Sequence, residues 1–354
     1  MSIRYGIIGT GMMGCEHIRN LLKMDDVDLV AIAEPNEESK QWAINSYGDK
    51  FTPHLYDNYR DLLANDNVDA VVVATPNFHH IEVMREVFKT KKHVLLEKPM
   101  CTNIKDAKEV LESSKEHDGV VWIGLEYRYM PTISATLQHL KGIGNIKMCS
   151  IREHRFPFLK KVNDWNRFNQ NTGGTLVEKC CHFFDLMNQI IPSEPVDVFA
   201  SGGQDVNHLE EFYDGKTPDI LDNAYVIVNY ANGARALLDL CMFAEGSEHE
   251  QEITVTGDVG KIETTVPGKD LIISNRSNNN FKSVPIKLDS RVKEQGFHHG
   301  ASYLEHLGFF DAIKNKTSPE VTVNDGLMSI VLGVAAQESI ATGKLVKIAD
   351  LLKG

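Results

Sequence analysis

Three groups of residues in this chain have the types and spacing that chemistry needs. The first is Gly9-x-Gly11-x-x-Gly14, which follows a short apolar run from Ile3 and heads a helix read from Cys15 to Lys23. In such a turn the first glycine permits the tight bend, the second lets backbone N–H groups approach a pyrophosphate, and the third lets the helix lie against the strand. The helix N-terminus adds its partial positive charge, so Thr10, Met12 and Met13 join the glycines in a phosphate cradle. The next apolar strand, Asp28–Ala33, ends on Glu34, 20 residues past Gly14, where a dinucleotide fold carries the acid that binds ribose hydroxyls. That carboxylate would repel a 2′-phosphate, and Pro35-Asn36-Glu37-Glu38 offers no arginine, so the expected cofactor is NAD rather than NADP.

The second group surrounds Lys98, which follows the strand His93–Leu96 in Glu97-Lys98-Pro99. The carboxyl end of a parallel strand is where open α/β sheets bind ligands. A lysine there can hold a substrate oxygen or, with a lowered pKa, shuttle its proton. The plain alternative is a solvated surface lysine. The third group is Glu178, His182 and Asp185, spaced i, i+4 and i+7 so that one helical face carries all three. His182 is the natural proton-transfer group, because its ordinary pKa lies near neutrality. Glu178 has two readings, since Thr175-x-x-Glu178 also fits a capping box. Asp185 can hold the His182 ring in one tautomer. Lys179, offset by one residue, is expected to face the cofactor side or solvent. Cys180-Cys181-His182 lacks metal-ligand spacing, so no metal site is expected.

These groups require elements to position them. Strands alternate with helices as far as residue 124: after Glu34 come helices Glu37–Tyr47 and Tyr56–Asn65, the fully apolar strand Val68–Ala74, helix His80–Lys89, strand His93–Leu96, helix Ile104–Glu116 and strand Val120–Gly124. That alternation means a doubly wound parallel sheet over residues 1–125, with Thr75-Pro76-Asn77 and His80 at a second ligand-facing turn. Residues 126–354 read differently. Helix Thr132–Leu140 precedes long β-like runs at Ile146–Phe156, Val196–Val206, Ala224–Phe243, Glu252–Thr265, Asp270–Ser274 and Ser283–Leu288. Asn232-Gly233 marks a hairpin, so this is an α+β domain with a large, mostly antiparallel open sheet. Helices Gly173–Ile191, Ser302–Lys314 and Asp325–Thr342 are expected to cover one face of it. The formal charge of −12 argues against a nucleic-acid or membrane surface. No apolar run reaches the length of a membrane span, no secretory signal opens the chain, and six cysteines without a disulfide pattern suit a reducing, cytoplasmic setting.

On Gly9-Thr10-Gly11-Met12-Met13-Gly14, Thr75-Pro76-Asn77 with His80, Glu97-Lys98-Pro99, and Gly173-Gly174-Thr175-Leu176-Val177-Glu178-Lys179-Cys180-Cys181-His182-Phe183-Phe184-Asp185, the chain resembles the Gfo/Idh/MocA family of oxidoreductases over nearly its whole length. The resemblance implies a Rossmann domain, an open-sheet domain, and NAD(P)-dependent oxidation or reduction at a sugar or polyol carbon. It implies that Thr75, Pro76, Asn77, His80, Glu97 and Lys98 serve the cofactor. It places Lys98, His182 and Glu178 near the reacting carbon, in a cleft to which Arg128 also belongs. Trp165 reads equally as a sugar-facing platform or a core aromatic. Lys179, Asp185 and His299 complete the expected substrate contacts. The family usually reads Asp-x-Gly-x-His-x-x-Asp along the second helix. Glu178, Lys179 and Cys180 depart from that pattern, which leaves the sugar or polyol unidentified. A dehydrogenase is expected first. An NAD-cycling hydrolase or lyase and a non-catalytic regulator are the alternatives, and a homodimer or homotetramer is the expected assembly.

Overall fold

The first unit of the computed structural model, which describes residues 2–353, grows from apolar runs too short for helices. They are β1 (Ile3–Ile8), β2 (Val27–Ala33), β3 (His54–Tyr56), β4 (Ala70–Val73), β5 (His93–Glu97) and β6 (Val121–Gly124). Between them run α1 (Met12–Lys23), α2 (Glu37–Tyr47), α3 (Tyr59–Leu63), α4 (His80–Val87) and α5 (Ile104–Ser114). All six strands pair in parallel in the order β3-β2-β1-β4-β5-β6. Helices on both faces explain why β4 is buried at every residue, the signature of a parallel interior strand. Asparagine side chains cap three of the helices: Asn36, Asn58 and Asn103 accept from Ser39, Arg60 and Asp106 N–H groups. The strand order reverses between β1 and β4, which puts the turns after those strands side by side at the switch point.

The rest of the chain runs α6 (Pro131–His139), β7 (Ile146–His154), α7 (Asn169–Thr172), α8 (Thr175–Glu178), α9 (Cys181–Ile190), β8 (Pro195–Gly203), β9 (Asn223–Tyr230), β10 (Arg235–Cys241), β11 (Gln251–Gly257), β12 (Gly260–Val266), β13 (Asp270–Asn275) and β14 (Asn280–Pro285). After it come α10 (Ala301–Asn315), α11 (Val323–Thr342), β15 (Val346–Lys347) and α12 (Ile348–Lys353). The nine strands form one sheet in the order β14-β13-β12-β11-β7-β10-β9-β8-β15, antiparallel except where β7 meets β10. The hairpin expected at Asn232-Gly233 joins β9 to β10, with Gly233 at φ +80°.

Several expectations are corrected. The Glu252–Thr265 run folds back on itself between Gly257 and Gly260, giving β11 and β12 as a hairpin. The helix expected over Tyr56–Asn65 is present but shorter, as α3, and Tyr56 is instead the last residue of β3, an edge strand of only three residues. β15 lies at the opposite sheet's edge and is shorter still. By packing, the chain divides into two units that are not each continuous in sequence. Residues up to Tyr129 cluster with Ser290–Leu327, and Met130–Asp289 cluster with the residues from Met328 on. Helix α10 therefore belongs to the first unit rather than to the second sheet. Its Phe309 packs edge-on against Tyr5 of β1 and Trp122 of β6, with ring centroids 6.1 and 6.3 Å apart. An amphipathic pattern announces a buried face and leaves open which sheet will cover it.

In the second unit α11 presses on the segment that carries Glu178. A Cβ at Gly333 would lie 2.6 Å from the Leu176 carbonyl oxygen, so only glycine allows this backbone approach. Gln337, one turn on, donates to the Gly173 carbonyl at 2.9 Å. Gly333→Ala should cost about 1–3 kcal/mol through overpacking against a backbone that cannot turn aside. Urea unfolding checks this, and a wild-type midpoint would show that α11 does not clamp α8.

Candidate active site

The glycine turn is built as its spacing requires. Gly9 has φ +90°, and a Cβ there would lie 2.7 Å from the Ala74 carbonyl oxygen at the end of β4. A Cβ at Gly14 would lie 2.1 Å from the Gly9 carbonyl oxygen, so the first turn of α1 rests on the strand turn itself. Gly11 differs: its Cβ would meet nothing within 4 Å. Two glycines thus serve the fold, and the third leaves an open backbone face at the head of α1, which suits a pyrophosphate. Thr10 is fully buried. Its N–H donates to Glu34 Oε2 at 2.8 Å, and its hydroxyl donates to the Ser39 carbonyl at 2.9 Å. Glu34 Oε1 accepts the Asn36 N–H at 2.9 Å, so the acid that closes β2 is held against the turn. Met12 is exposed and Met13 half-buried beside it.

At the neighbouring turn Thr75 and Pro76 are half-buried and Asn77 is buried. His80, which the sequence assigns to the cofactor, is placed as a brace between two turns. Its Nδ1 lies 2.9 Å from the Pro99 carbonyl and its Nε2 3.0 Å from the Thr75 carbonyl, which occupies both ring nitrogens. Burial pushes its pKa below the usual value. The ring ties the turn after β4 to the turn after β5, and hence to Lys98.

Lys98 is half-buried at the end of β5 amid buried titratable groups of the same unit. Its backbone N–H donates to Glu97 Oε2 at 3.1 Å. Glu97 Oε1 lies 2.8 Å from His17 Nε2, and His17 Nδ1 lies 2.9 Å from His306 Nε2. Burial acts to raise the Glu97 pKa, but the His17 hydrogen bond and nearby positive charges outweigh it and leave the carboxyl below its ordinary value. Glu126 goes the other way, raised by burial. His298 stands 3.5 Å from both Glu16 Oε1 and Glu126 Oε1, whose charges raise its pKa against the effect of burial. Of the histidine pair, then, it is His298 that turns inward. His299, the expected substrate contact, is exposed with φ +55°. Arg128 is buried, 3.2 Å from Asp325 Oδ2, and donates to the Glu320 carbonyl at 3.2 Å.

In the second unit the expected continuous helix Gly173–Ile191 is broken. Gly173 and Gly174 have φ +82° and +88°, and α8 stops at Glu178 before α9 begins at Cys181. Glu178, His182 and Asp185 are all buried, but only the latter two share α9. The capping box is absent. Gly174 is the N-cap, and the Thr175 hydroxyl donates instead to the Leu221 carbonyl at 2.5 Å. Of the two surroundings expected for Lys179, the structure removes solvent. The side chain is buried, with Nζ 2.9 Å from Glu153 Oε1 and 5.5 Å from the Phe183 ring centre. Trp165 is half-buried, with the Lys161 ammonium 6.0 Å from its ring. Glu153, Glu16, His17 and His306 were missed in the sequence because no local motif marks them.

A parallel sheet whose switch point carries an open glycine turn and a fixed acid defines a dinucleotide-binding protein. More particularly, residues 3–125 match the NAD-binding Rossmann fold of the Gfo/Idh/MocA oxidoreductase family and residues 140–348 match that family's C-terminal alpha/beta domain, so the chain belongs to this family. It is similar to a myo-inositol 2-dehydrogenase from Thermotoga maritima, at 28% identity over 99% of this chain and 100% of that protein. A crystal structure of a probable dehydrogenase from Thermotoga maritima aligns with TM-score 0.79 at 26% identity, covering 99% of this chain and 100% of that one. A levoglucosan dehydrogenase in complex with NADH and levoglucosan aligns with TM-score 0.83 at 19% identity, covering 98% and 100%, a likeness of fold.

The two kinds of glycine should separate experimentally. Gly14→Ala should lower stability by about 1–3 kcal/mol. Gly11→Ala should leave thermal unfolding unchanged while weakening NAD about tenfold or more, because its methyl would stand where phosphate oxygens approach. Calorimetric titration with NAD decides it, and wild-type affinity in Gly11→Ala would count against this cradle.

Proposed function

We propose that this protein is an NAD-dependent dehydrogenase that interconverts a secondary alcohol and a ketone of a sugar, sugar derivative or cyclic polyol. The observation that carries the reading is Lys98, half-buried at the carboxyl end of a parallel strand beside an ionised Glu97, in a domain with an open dinucleotide cradle. The similarity to an inositol dehydrogenase over the full chain supports the substrate class. Bound NAD would supply the hydride acceptor, held by the Gly9–Gly14 turn, Glu34, Thr75 and Asn77. Lys98 and His182 would act on one substrate oxygen. One group polarises it through a charged or hydrogen-bonded nitrogen, and the other accepts its proton near neutral pH. Glu178, Asp185 and Trp165 are candidates for orienting the substrate, and the capping explanation for Glu178 has fallen away. Arg128 and Lys179 support the site through their carboxylate partners. Five of the six cysteines are buried, and a cytoplasmic setting is part of the reading.

Lys98→Ala and His182→Ala should each lower turnover by about 10²–10⁴-fold while NAD binding survives. The double variant should lose less than the product of the two single losses. The assay is NADH formation at 340 nm across a panel of inositols and sugars. Wild-type turnover in both single variants would move a regulatory role to the front, and turnover without net NADH would mean a cycling hydrolase or lyase.

The reading includes a homo-oligomer formed through the bare face of the second sheet. Phe199, Tyr225 and Ile227 stand exposed there on β8 and β9, with Phe199 directly opposite Ile227. Ile227→Lys should therefore reduce the mass measured by light scattering to that of one chain. An unchanged mass would leave that face without this role.

A further inference from the structure

Helix α1 carries more than the phosphate turn. Glu16, His17 and Asn20 line its buried face, an expensive composition unless each charge finds a partner. His17 finds two. A line of contacts runs from the Lys98 N–H to Glu97 at 3.1 Å, on to His17 at 2.8 Å and then to His306 of α10 at 2.9 Å. His17, Glu97 and His306 are buried. We infer that His17 is a positioning residue for Lys98, acting through the Glu97 carboxylate that it orients and keeps charged.

Proton counting supports the assignment. An ionised carboxylate only accepts, so His17 presents Nε2–H to Glu97. Its Nδ1 faces His306 Nε2 across 2.9 Å. Burial and the neighbouring His17 push the His306 pKa well below the usual value, so that ring is neutral with one proton to donate. The His17 ring is thus held from both sides.

Charge counting singles out Glu97. Lys98 feels Glu97, Glu126 and His298, while Glu16 and Glu305 stand behind them. Burial raises Glu126, and burial with the charges of Glu126 and Glu97 raises Glu305 well above the usual range. Glu16 is held low against burial chiefly by His298 and by Ser302, whose hydroxyl donates to it at 2.9 Å, with the charge of His17 the smallest of these causes. Glu97 is therefore the carboxylate next to Lys98 that His17 touches directly and for which His17 is the chief lowering cause. A buried carboxylate that loses its donor takes up a proton. Lys98 would then lose the negative charge that favours its ammonium form.

The test reads Lys98 directly. The full-length protein is pulse-labelled with acetic anhydride across a pH series, and the Lys98 peptide is quantified by mass spectrometry. In His17→Leu and in Glu97→Gln the labelling midpoint should fall by about one pH unit, which is about tenfold faster labelling at a fixed pH below it. His17→Gln, whose amide can donate from the position of Nε2, should keep the wild-type midpoint. Joining His17→Leu to Glu97→Gln should lower the midpoint no further than Glu97→Gln alone. That pair also buries no unpaired carboxylate, so it carries the comparison if His17→Leu does not fold. An unmoved midpoint in Glu97→Gln or in folded His17→Leu overturns the inference. So does a His17→Gln midpoint as low as that of His17→Leu, or a further fall in the double variant. The inference draws its catalytic meaning from the role proposed for Lys98, but labelling needs no substrate. A failed dehydrogenase assay and a failed labelling test are therefore distinguishable.

Discussion

One backbone contact sets the geometry of the first unit. Gly14 lies so close to Gly9 that no side chain fits between α1 and the turn it leaves, and Gly9 is itself pressed against the end of β4. Three chain segments are locked there without any side chain to adjust. The direction of α1 follows, and with it the depth at which Glu16 and His17 enter the interior. Had Gly14 been larger, the helix would stand off by the width of a methyl group. The His17–Glu97 distance of 2.8 Å leaves no room for that displacement. The turn that admits phosphate thus also determines which groups surround Lys98.

The two units treat buried charge differently. Around Lys98 the carboxyl groups are numerous and unequal: Glu97 and Glu16 are held ionised by histidines, while Glu126 and Glu305 are pushed toward neutrality by burial. Four ionised carboxylates in so small a volume would repel one another strongly at low dielectric, so dividing them into two classes is the cheaper arrangement. In the second unit the balance is simpler. Fully buried Glu153 lies between Lys179 at 2.9 Å and Arg155 at 3.3 Å, two cations on one anion. Removing Glu153 would take the shared anion from both cations, whereas removing either cation leaves the other paired with it.

What the sequence announces is what local pattern determines. The glycine turn, the acid after β2, the all-apolar β4 and the Asn-Gly hairpin each reveal themselves within a few residues, and each stands where expected. Long-range choices are silent. The pattern of α10 predicts a helix with a buried face, yet nothing local says that Phe309 will meet Tyr5 and Trp122. His298 and His299 look alike in the chain, and a left-handed backbone at His299 sends them different ways. The spacing of Glu178, His182 and Asp185 suggested one helical face, because periodicity cannot detect a bend at Lys179 and Cys180. β3 and β15 are too short to show any alternation.

An acidic protein that binds an anionic dinucleotide presents an apparent conflict, with a formal charge of −12 on the chain. It is resolved by the kind of positive charge employed. Backbone N–H groups at the head of α1 are partial charges fixed by the fold. They need no arginine and fade within one turn, so acids elsewhere neither strengthen nor cancel them. Lys98 is the opposite case, a full charge at the end of a side chain. Bulk acidity is screened beyond about 8 Å at physiological salt, and the carboxylates that matter are those already desolvated inside the same unit. The cradle therefore depends on the backbone alone, and the acidity of the chain as a whole leaves it unchanged.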